Sequence, residues 1–420
     1  MTKVAPKNLH LDTLTIATGY DPATALGAAK PPLYLSSTFV YPNSQYAKDT
    51  HANFFEGAPM PGGERPGYIY ARLSNPNLDM VEARLAALDG GETAAVFASG
   101  MAAMTSILQA FVRPGDSVLY GRPLYGGVDW FLNSHFCQFG VHPVGYTDGV
   151  DATHMRACVA EAQKLGPVAM ILVETPANPT AVISDIRLAA NLADEIAATG
   201  AKRPLVVVDN TFLGPFLQSP LAEGADLCMT ALTKYCGGHS DLLAGGVTGR
   251  SALIAPLKTL RTMLGNYSDP HTCWMLMRSF ETLHLRTERA ASNAKILAEW
   301  LRAHPKVASV TYFGFLPEGG PAREVFERQC RGAGSTFSFR IKGGEAEAFR
   351  MLDRLKLLKL AVSLGGAETL ICHPASTTHY QIERARREAV GIDDATLRLS
   401  IGLEHPDDLI NDFAQALEAI

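Results

Sequence analysis

Residues Asp226 to Gly246 read DLCMTALTKYCGGHSDLLAGG. A short apolar run, Leu227–Thr230, leads to Lys234, which stands between Thr233 and Tyr235 and ahead of a glycine-rich loop. A lysine in that small and polar company, just past a strand of buried type, is not placed like a solvated surface lysine. Taken alone, a lysine at a sheet edge is still the commoner reading. Upstream, a second apolar run, Leu205–Val208, ends in Asp209-Asn210-Thr211. Two strand ends therefore deliver one amine and one carboxylate, and the rest of the chain can be placed around them.

Such a pair is what a pyridoxal phosphate site needs. The amine can form a Schiff base with the aldehyde, and the carboxylate keeps the pyridine nitrogen protonated so that the ring accepts electrons. The surrounding pattern agrees. From about 75 to 250, helices alternate with short apolar strands at Ala94–Phe97, Ser117–Tyr120, Met170–Val173, Leu205–Val208 and Leu227–Thr230. Asn77–Leu88 is expected to be helical, with Leu78, Val81, Leu85 and Leu88 on one face, as is Arg187–Ala198. Continuous apolar strands between helices predict a mostly parallel sheet covered on both faces. Ligands bind such sheets beyond the carboxyl ends of the strands. Ser99-Gly100, Glu174-Thr175, Asp209-Asn210 and Thr233-Lys234 all follow a predicted strand directly.

Beyond about 260 the pattern changes. Pro270–His304 reads as one or two long helices. Strands are expected at Val307–Phe313, Ser335–Ile341, 358–364 and 396–402, with helices at Glu345–Leu355 and from Pro406 to the end. This describes a smaller α+β unit. Residues 1–65, rich in Pro, Gly, Ser and Asn, read as an extended arm, and Ala47–Pro66 as a mobile loop.

Six motifs run in order along most of the chain: YARLSNPN at 70–77, FASGMAA at 97–103, ETPANPT at 174–180, VVDNTF at 207–212, TKYCGGHSD at 233–241 and LRLSIGLE at 397–404. With them the chain resembles the Cys/Met-metabolism (transsulfuration) family of pyridoxal-phosphate enzymes. That family includes cystathionine γ-synthase, cystathionine γ- and β-lyases, methionine γ-lyase and O-acetylhomoserine sulfhydrylase. The resemblance implies an aspartate-aminotransferase-like, fold type I α/β architecture. It also implies pyridoxal 5'-phosphate as cofactor and a homotetramer with active sites shared between subunits. The domain division expected is an arm at 1–70 reaching the neighbouring subunit, a cofactor-binding domain at 71–262 and an α+β domain at 263–420.

The resemblance also assigns roles. Lys234 forms the Schiff base and, once freed, moves protons at Cα and Cβ. Asp209, otherwise a good cap, faces the pyridine nitrogen. Ser99, Gly100 and Met101, otherwise a small-residue packing turn, cradle the phosphate at a helix N-terminus, with the Thr233 hydroxyl beside it; Thr211 is also among the implied cofactor-binding residues. Tyr70 and Arg72 come from the neighbouring subunit, Arg72 as a bidentate clamp on the phosphate. Asn178, otherwise a turn residue, bonds the cofactor's phenolic oxygen or lies near the substrate carboxylate. Tyr125 stacks on the cofactor and assists the leaving group; a buried structural tyrosine is the plain alternative. Arg398, with Ser363 beside it, takes the substrate α-carboxylate. Ala231 departs from the pattern, because many relatives carry a hydroxyl residue three before the lysine. His239, His373 and His379 lack metal spacing and read as structural.

The reaction class is γ-elimination to 2-oxobutyrate, ammonia and a thiol, or γ-replacement on an O-acylhomoserine. A protein that binds the cofactor without turnover is the remote alternative. Positions that relatives acting on cystathionine fill with charged or polar groups are here Ile69, Trp130 and Val362. All three are apolar and favour a short uncharged tail. Against methionine γ-lyase stands Gly127, where those enzymes usually carry cysteine, and the SLGG at 363–366 looks more like the cystathionine enzymes. Glu64 or Arg65, in the 47–66 loop, could supply a charge to a distal group.

Composition sets the remaining bounds. At 420 residues, 47% hydrophobic and 19% charged, the chain can bury a large core in two domains. A net charge of −5 gives no reason to expect nucleic acid or an anionic membrane as partner. Seven scattered cysteines without a C-x-x-C pair suit a reducing cytoplasm and no metal. No secretory signal and no run long enough to span a membrane are evident.

Overall fold

The computed structural model of the chain describes residues 9–63 and 66–420. Glu64 and Arg65 therefore lie outside the described residues. A seven-stranded sheet is built from Thr93–Phe97 (β1), Ser117–Gly121 (β2), His142–Tyr146 (β3), Val168–Glu174 (β4), Leu205–Asp209 (β5), Leu227–Thr230 (β6) and Gly245–Gly249 (β7). Their order is β1-β7-β6-β5-β4-β2-β3. Strands β2 to β6 run parallel to one another, and β7 lies antiparallel between β1 and β6.

Both faces are covered, and the residues alternate between two cores. Met170, Leu172 and Val207 face Met104, Ile107 and Leu108 of the helix Gly100–Phe111. Ile171, Val173, Val206 and Val208 face Ile186, Leu192 and Ala193 of the helix Ile186–Ala198. A strand buried on both sides has to be apolar throughout, which is why these strands were legible as continuous runs. The helix Pro76–Asp89 is capped by Asn75, whose side chain accepts the Asn77 N–H. It buries Leu78, Val81, Leu85 and Leu88 completely or nearly so. The helix Pro270–Phe280 packs in the same core through Cys273, Leu276, Met277 and Phe280.

A second sheet contains Val307–Thr311 (β8), Thr336–Ile341 (β9), Lys359–Leu360 (β10), Leu370–Cys372 (β11) and Thr396–Ser400 (β12), in the order β10-β11-β12-β9-β8. Phe337, Phe339, Leu397 and Leu399 pack on the helices Leu283–Ala303, Glu345–Leu352 and Pro406–Leu417. The two-residue period of β12 turns Arg398 to the opposite face, toward the larger sheet.

Three expectations need correction. Ser44–Glu56 is an α-helix where a mobile loop was expected. Its N-terminus is fixed by Asn43, which accepts the Tyr46 N–H at 2.8 Å, and its C-terminus by Gly57 at φ 70°. The strand expected at 358–364 shrinks to Lys359–Leu360, because Ser363 (φ 87°) and Gly365 (φ 76°) turn the chain out of the sheet. Strands β3, β7 and β11 were not anticipated. The first two, HPVGY and GGVTG, hold glycine and proline where strand propensity favours branched and aromatic residues.

Candidate active site

The carboxyl ends of β1, β4, β5 and β6 share one edge of the large sheet, and a cavity of about 580 Å³ opens there. Of the residues singled out in the sequence, Ser99, Gly100, Met101, Tyr125, Asn178, Asp209, Thr211, Thr233, Lys234, Val362, Ser363 and Arg398 line it.

Lys234 donates from Nζ to Ser363 Oγ at 2.8 Å. Burial, followed by the Arg398 guanidinium, pulls its pKa down to about 8, against the pull of Asp209. Asp209 Oδ1 accepts the Thr211 N–H at 3.0 Å and the Thr211 hydroxyl at 2.5 Å. Thr211 Oγ1 in turn accepts the Ala231 N–H at 2.9 Å. Burial raises the Asp209 pKa above the usual carboxylate range. Beside it Glu174 is pushed up to about 8, first by burial and then by the Asp209 charge.

The loop after β1 enters the helix Gly100–Phe111. Ser99 caps that helix by accepting the Ala102 N–H at 3.0 Å. Close approach dictates glycine at two points here. A Cβ on Gly100 would lie 2.8 Å from the Ala231 Cβ, and one on Gly245 would lie 2.3 Å from the Ser99 carbonyl oxygen. The helix start is thereby held directly against the segment that carries Lys234, with its first N–H groups free of intrahelical partners.

Arg398 donates to Asn178 Oδ1 at 3.0 Å and to the Ser363 carbonyl at 2.6 Å. Its buried Nε has no partner among the described residues. Tyr125 is 40% exposed, so its ring is open to a ligand.

Other expected residues are placed elsewhere. Ile69, Tyr70, Arg72 and Trp130 do not line the cavity of one chain. Arg72 instead donates to the Thr262 carbonyl at 2.5 Å and lies 5.8 Å from the Tyr70 ring centroid. Trp130 is half exposed. The Thr233 hydroxyl is engaged with Ala244 on both sides, donating to its carbonyl at 3.1 Å and accepting its N–H at 3.0 Å. His239, His373 and His379 sit in local hydrogen bonds. Burial, then Arg398, pulls His379 down to about 4.

The structure adds Pro176, Phe212, Met229, Leu243, Thr377 and Thr378 to the lining, and gives Glu174 a central place. Glu174 was legible only as one of four strand ends. The two threonines lie in CHPASTTH, where the histidines drew attention first. Among the described residues no group of three or more His, Cys, Asp or Glu could hold a metal ion.

The donor set fits pyridoxal phosphate. Unpaired N–H groups at a helix start suit a phosphate, a buried acid suits a pyridinium, and an amine of lowered pKa suits an aldehyde. A buried arginine with an unpartnered Nε suits a carboxylate. On a mostly parallel sheet with helices on both faces, these features define a fold type I pyridoxal-phosphate enzyme. The chain belongs to the family described as Cys/Met metabolism PLP-dependent enzymes, which its residues 12–418 match.

Relatives narrow the range. The chain is 40% identical to an L-methionine γ-lyase of Pseudomonas putida over 97% of each chain. It is 38% identical to a cystathionine γ-synthase of Mycobacterium tuberculosis over 96% of each. Among solved structures, a cystathionine γ-synthase from Xanthomonas oryzae in complex with cystathionine is similar with a TM-score of 0.86 at 34% identity. That match covers 98% of this chain and 99% of the other. A cystathionine γ-lyase from Lactobacillus plantarum, complexed with L-serine, matches with a TM-score of 0.86 at 31% identity, covering 98% and 99%.

Proposed function

We propose that this enzyme catalyses γ-elimination on a sulfur amino acid with a short uncharged tail, methionine being the type substrate. Water and methionine would give 2-oxobutyrate, ammonia and methanethiol. The observation that carries this is the cavity lining. Among the described residues its titratable Asp, Glu, Lys and Arg side chains are Glu174, Asp209, Lys234 and Arg398, and Met101, Val128, Met229, Leu243 and Val362 supply apolar surface. A distal ammonium and carboxylate would be buried there without partners, at a cost of several kcal/mol. Similarity to methionine γ-lyases supports the same reading.

Pyridoxal phosphate, when bound, supplies an electron sink for negative charge at the substrate carbons. The protein's part is assigned as follows. Lys234 attaches the cofactor and carries protons at Cα and Cβ, for which an amine of pKa about 8 is well matched to neutral pH. Asp209 faces the pyridine nitrogen. The N–H groups of Gly100 and Met101 hold the phosphate, with Ser99 beside them, while Thr211 hydrogen-bonds the Asp209 carboxyl. Thr233 joins them only if its hydroxyl leaves Ala244. Tyr125 would stack on the ring and protonate the leaving thiolate. Arg398, supported by Asn178 and Ser363, takes the α-carboxylate.

The working form is taken to be a cytoplasmic homotetramer, a dimer of dimers. Tyr70, at the end of an arm at 1–70, and Arg72, just past it, would serve the neighbouring site, with Ile69 and Trp130 completing its mouth. A cofactor-binding unit at 71–262 and a second unit at 263–420 follow that arm. Among the described residues no helix is long and apolar enough to cross a membrane.

A second reading is γ-replacement on an O-acylhomoserine, as by a cystathionine γ-synthase or O-acetylhomoserine sulfhydrylase. Gly127 favours it. A Cβ at 127 would stand 2.9 Å from the Tyr125 ring and 3.3 Å from Met101 Sδ, so a cysteine there would displace the ring.

The deciding experiment measures 2-oxobutyrate from methionine, homocysteine, cystathionine and O-acetylhomoserine side by side, the ester also with sulfide. Methanethiol from methionine is the expected result. Homocysteine from the ester and sulfide would establish the second reading. A clear preference for cystathionine would overturn the pocket argument.

A further inference from the structure

We propose that Glu174 is a positioning residue of this active site, whose single carboxylate locks Tyr125 and Asn178 into one arrangement. Oε2 accepts the Tyr125 N–H at 2.7 Å, and Oε1 accepts the Asn178 N–H at 2.6 Å. The two loops so joined are far apart in sequence, and both line the cavity. The proposal rests on the assignment of Tyr125 to the cofactor ring and of Asn178 to the cofactor and Arg398.

Three features go beyond an ordinary turn anchor. First, Glu174 is only 5% exposed, and no cation bonds it among the described residues. The two N–H groups go to different oxygens of one carboxyl group, and a glutamine would present an NH2 donor where one of those oxygens stands. Second, Glu174 pairs in register with Asp209 across β4 and β5. Their side chains share one face, so the residue that grips both loops stands beside the acid assigned to the pyridine nitrogen. Third, the gripped segments have no slack. A Cβ on Gly126 would lie 2.2 Å from the Thr378 carbonyl oxygen, which presses on the Tyr125 loop from the other side. Asn178 is held at both ends, its N–H by Glu174 and its side-chain oxygen by Arg398. A shift of Glu174 therefore moves the ring-stacking residue and the carboxylate clamp together.

The test uses holoenzyme carrying Glu174→Gln, with Glu174→Ala as the larger change. Four properties are read: visible circular dichroism of the bound cofactor, cofactor loss on dialysis, kcat and KM, and thermal midpoint. Glu174→Gln is expected to keep the midpoint within a few degrees. Its cofactor dichroism should change, and kcat/KM should fall roughly 10- to 100-fold, the scale of a misplaced reacting group. Glu174→Ala should be worse on every measure. Glu174→Gln combined with Asn178→Ala should lose less than the product of the two single effects, because both act on one arrangement. A Glu174→Gln enzyme that loses only thermal stability, with wild-type dichroism and kinetics, would make Glu174 a structural anchor and overturn the proposal. Tyr125→Phe and Asn178→Ala separate the two levels. If those variants are also silent, the site assignment itself has failed; if they are impaired while Glu174→Gln is not, only the positioning role has.

Discussion

At the scale of single residues, the site depends on groups that are costly to bury. Lys234 loses solvation, and its amine is drawn to about 8. Lys234→Ala should abolish the visible absorption of bound pyridoxal phosphate together with turnover, measured by spectrophotometry and 2-oxobutyrate release. A variant that keeps both would refute the central assignment. Ala231 lies against Gly100 at the cradle and offers no hydroxyl. Ala231→Ser should slow cofactor loss on dialysis, by no more than about 1 kcal/mol for one added hydrogen bond. Faster loss would mean that the added oxygen meets the helix start instead of the phosphate. Gly100→Ala should act in the opposite direction, since its methyl would stand 2.8 Å from the Ala231 Cβ.

At the scale of elements, β7 and the helix Pro76–Asp89 carry the sharpest consequences. Strand β7 lies antiparallel between β1 and β6, and its first glycine touches the Ser99 carbonyl. Gly245→Ala should push the start of the helix Gly100–Phe111 outward. Weaker cofactor binding and a lower thermal midpoint are expected together; a shift in neither would show that β7 has room to move. The helix Pro76–Asp89 ends on a buried carboxyl. Asp89 accepts the Thr248 hydroxyl at 2.8 Å, and burial raises its pKa to about 7. A negative charge at a helix C-terminus is also disfavoured by the helix dipole. Since an unfolded aspartic acid titrates near ~3.9, the neutral form favours folding. That stabilisation is complete below about pH 4, declines as pH rises toward 7, and is absent above it. Asp89→Asn should remove this decline. The difference in thermal midpoint between variant and wild type should therefore grow in the variant's favour from pH 5 to pH 8. A constant difference would place the raised pKa elsewhere.

At the scale of the whole molecule, the proposed sharing of sites between subunits can be tested directly. Tyr70 and Arg72 stand outside the cavity. The arm leaves Ile16, Leu26, Leu35, Val40 and Phe55 exposed in the isolated chain, a surface that a second copy would cover. Mixing inactive Arg72→Ala subunits with inactive Lys234→Ala subunits should recover part of the activity, because one hybrid site would have both residues intact. No recovery after demonstrated subunit exchange would count against shared sites.

The sequence by itself determined five of the seven strands of the large sheet, the strand-end positions of Lys234, Asp209, Glu174 and Ser99, and the family. Strands buried on both faces must be apolar along their length, and six motifs in fixed order leave few alternatives. The tertiary structure decided what depends on close approach. Gly245, a glycine in an unpromising strand, touches Ser99. The backbone at Ser363 leaves the sheet at positive φ to meet Lys234. The polar segment 44–56 becomes a helix through its two caps. Glu174 is shown to bridge two loops that the sequence keeps far apart. Hydrophobic periodicity reports which face of an element is buried; it carries no record of which backbone N–H a buried carboxylate will find across the fold.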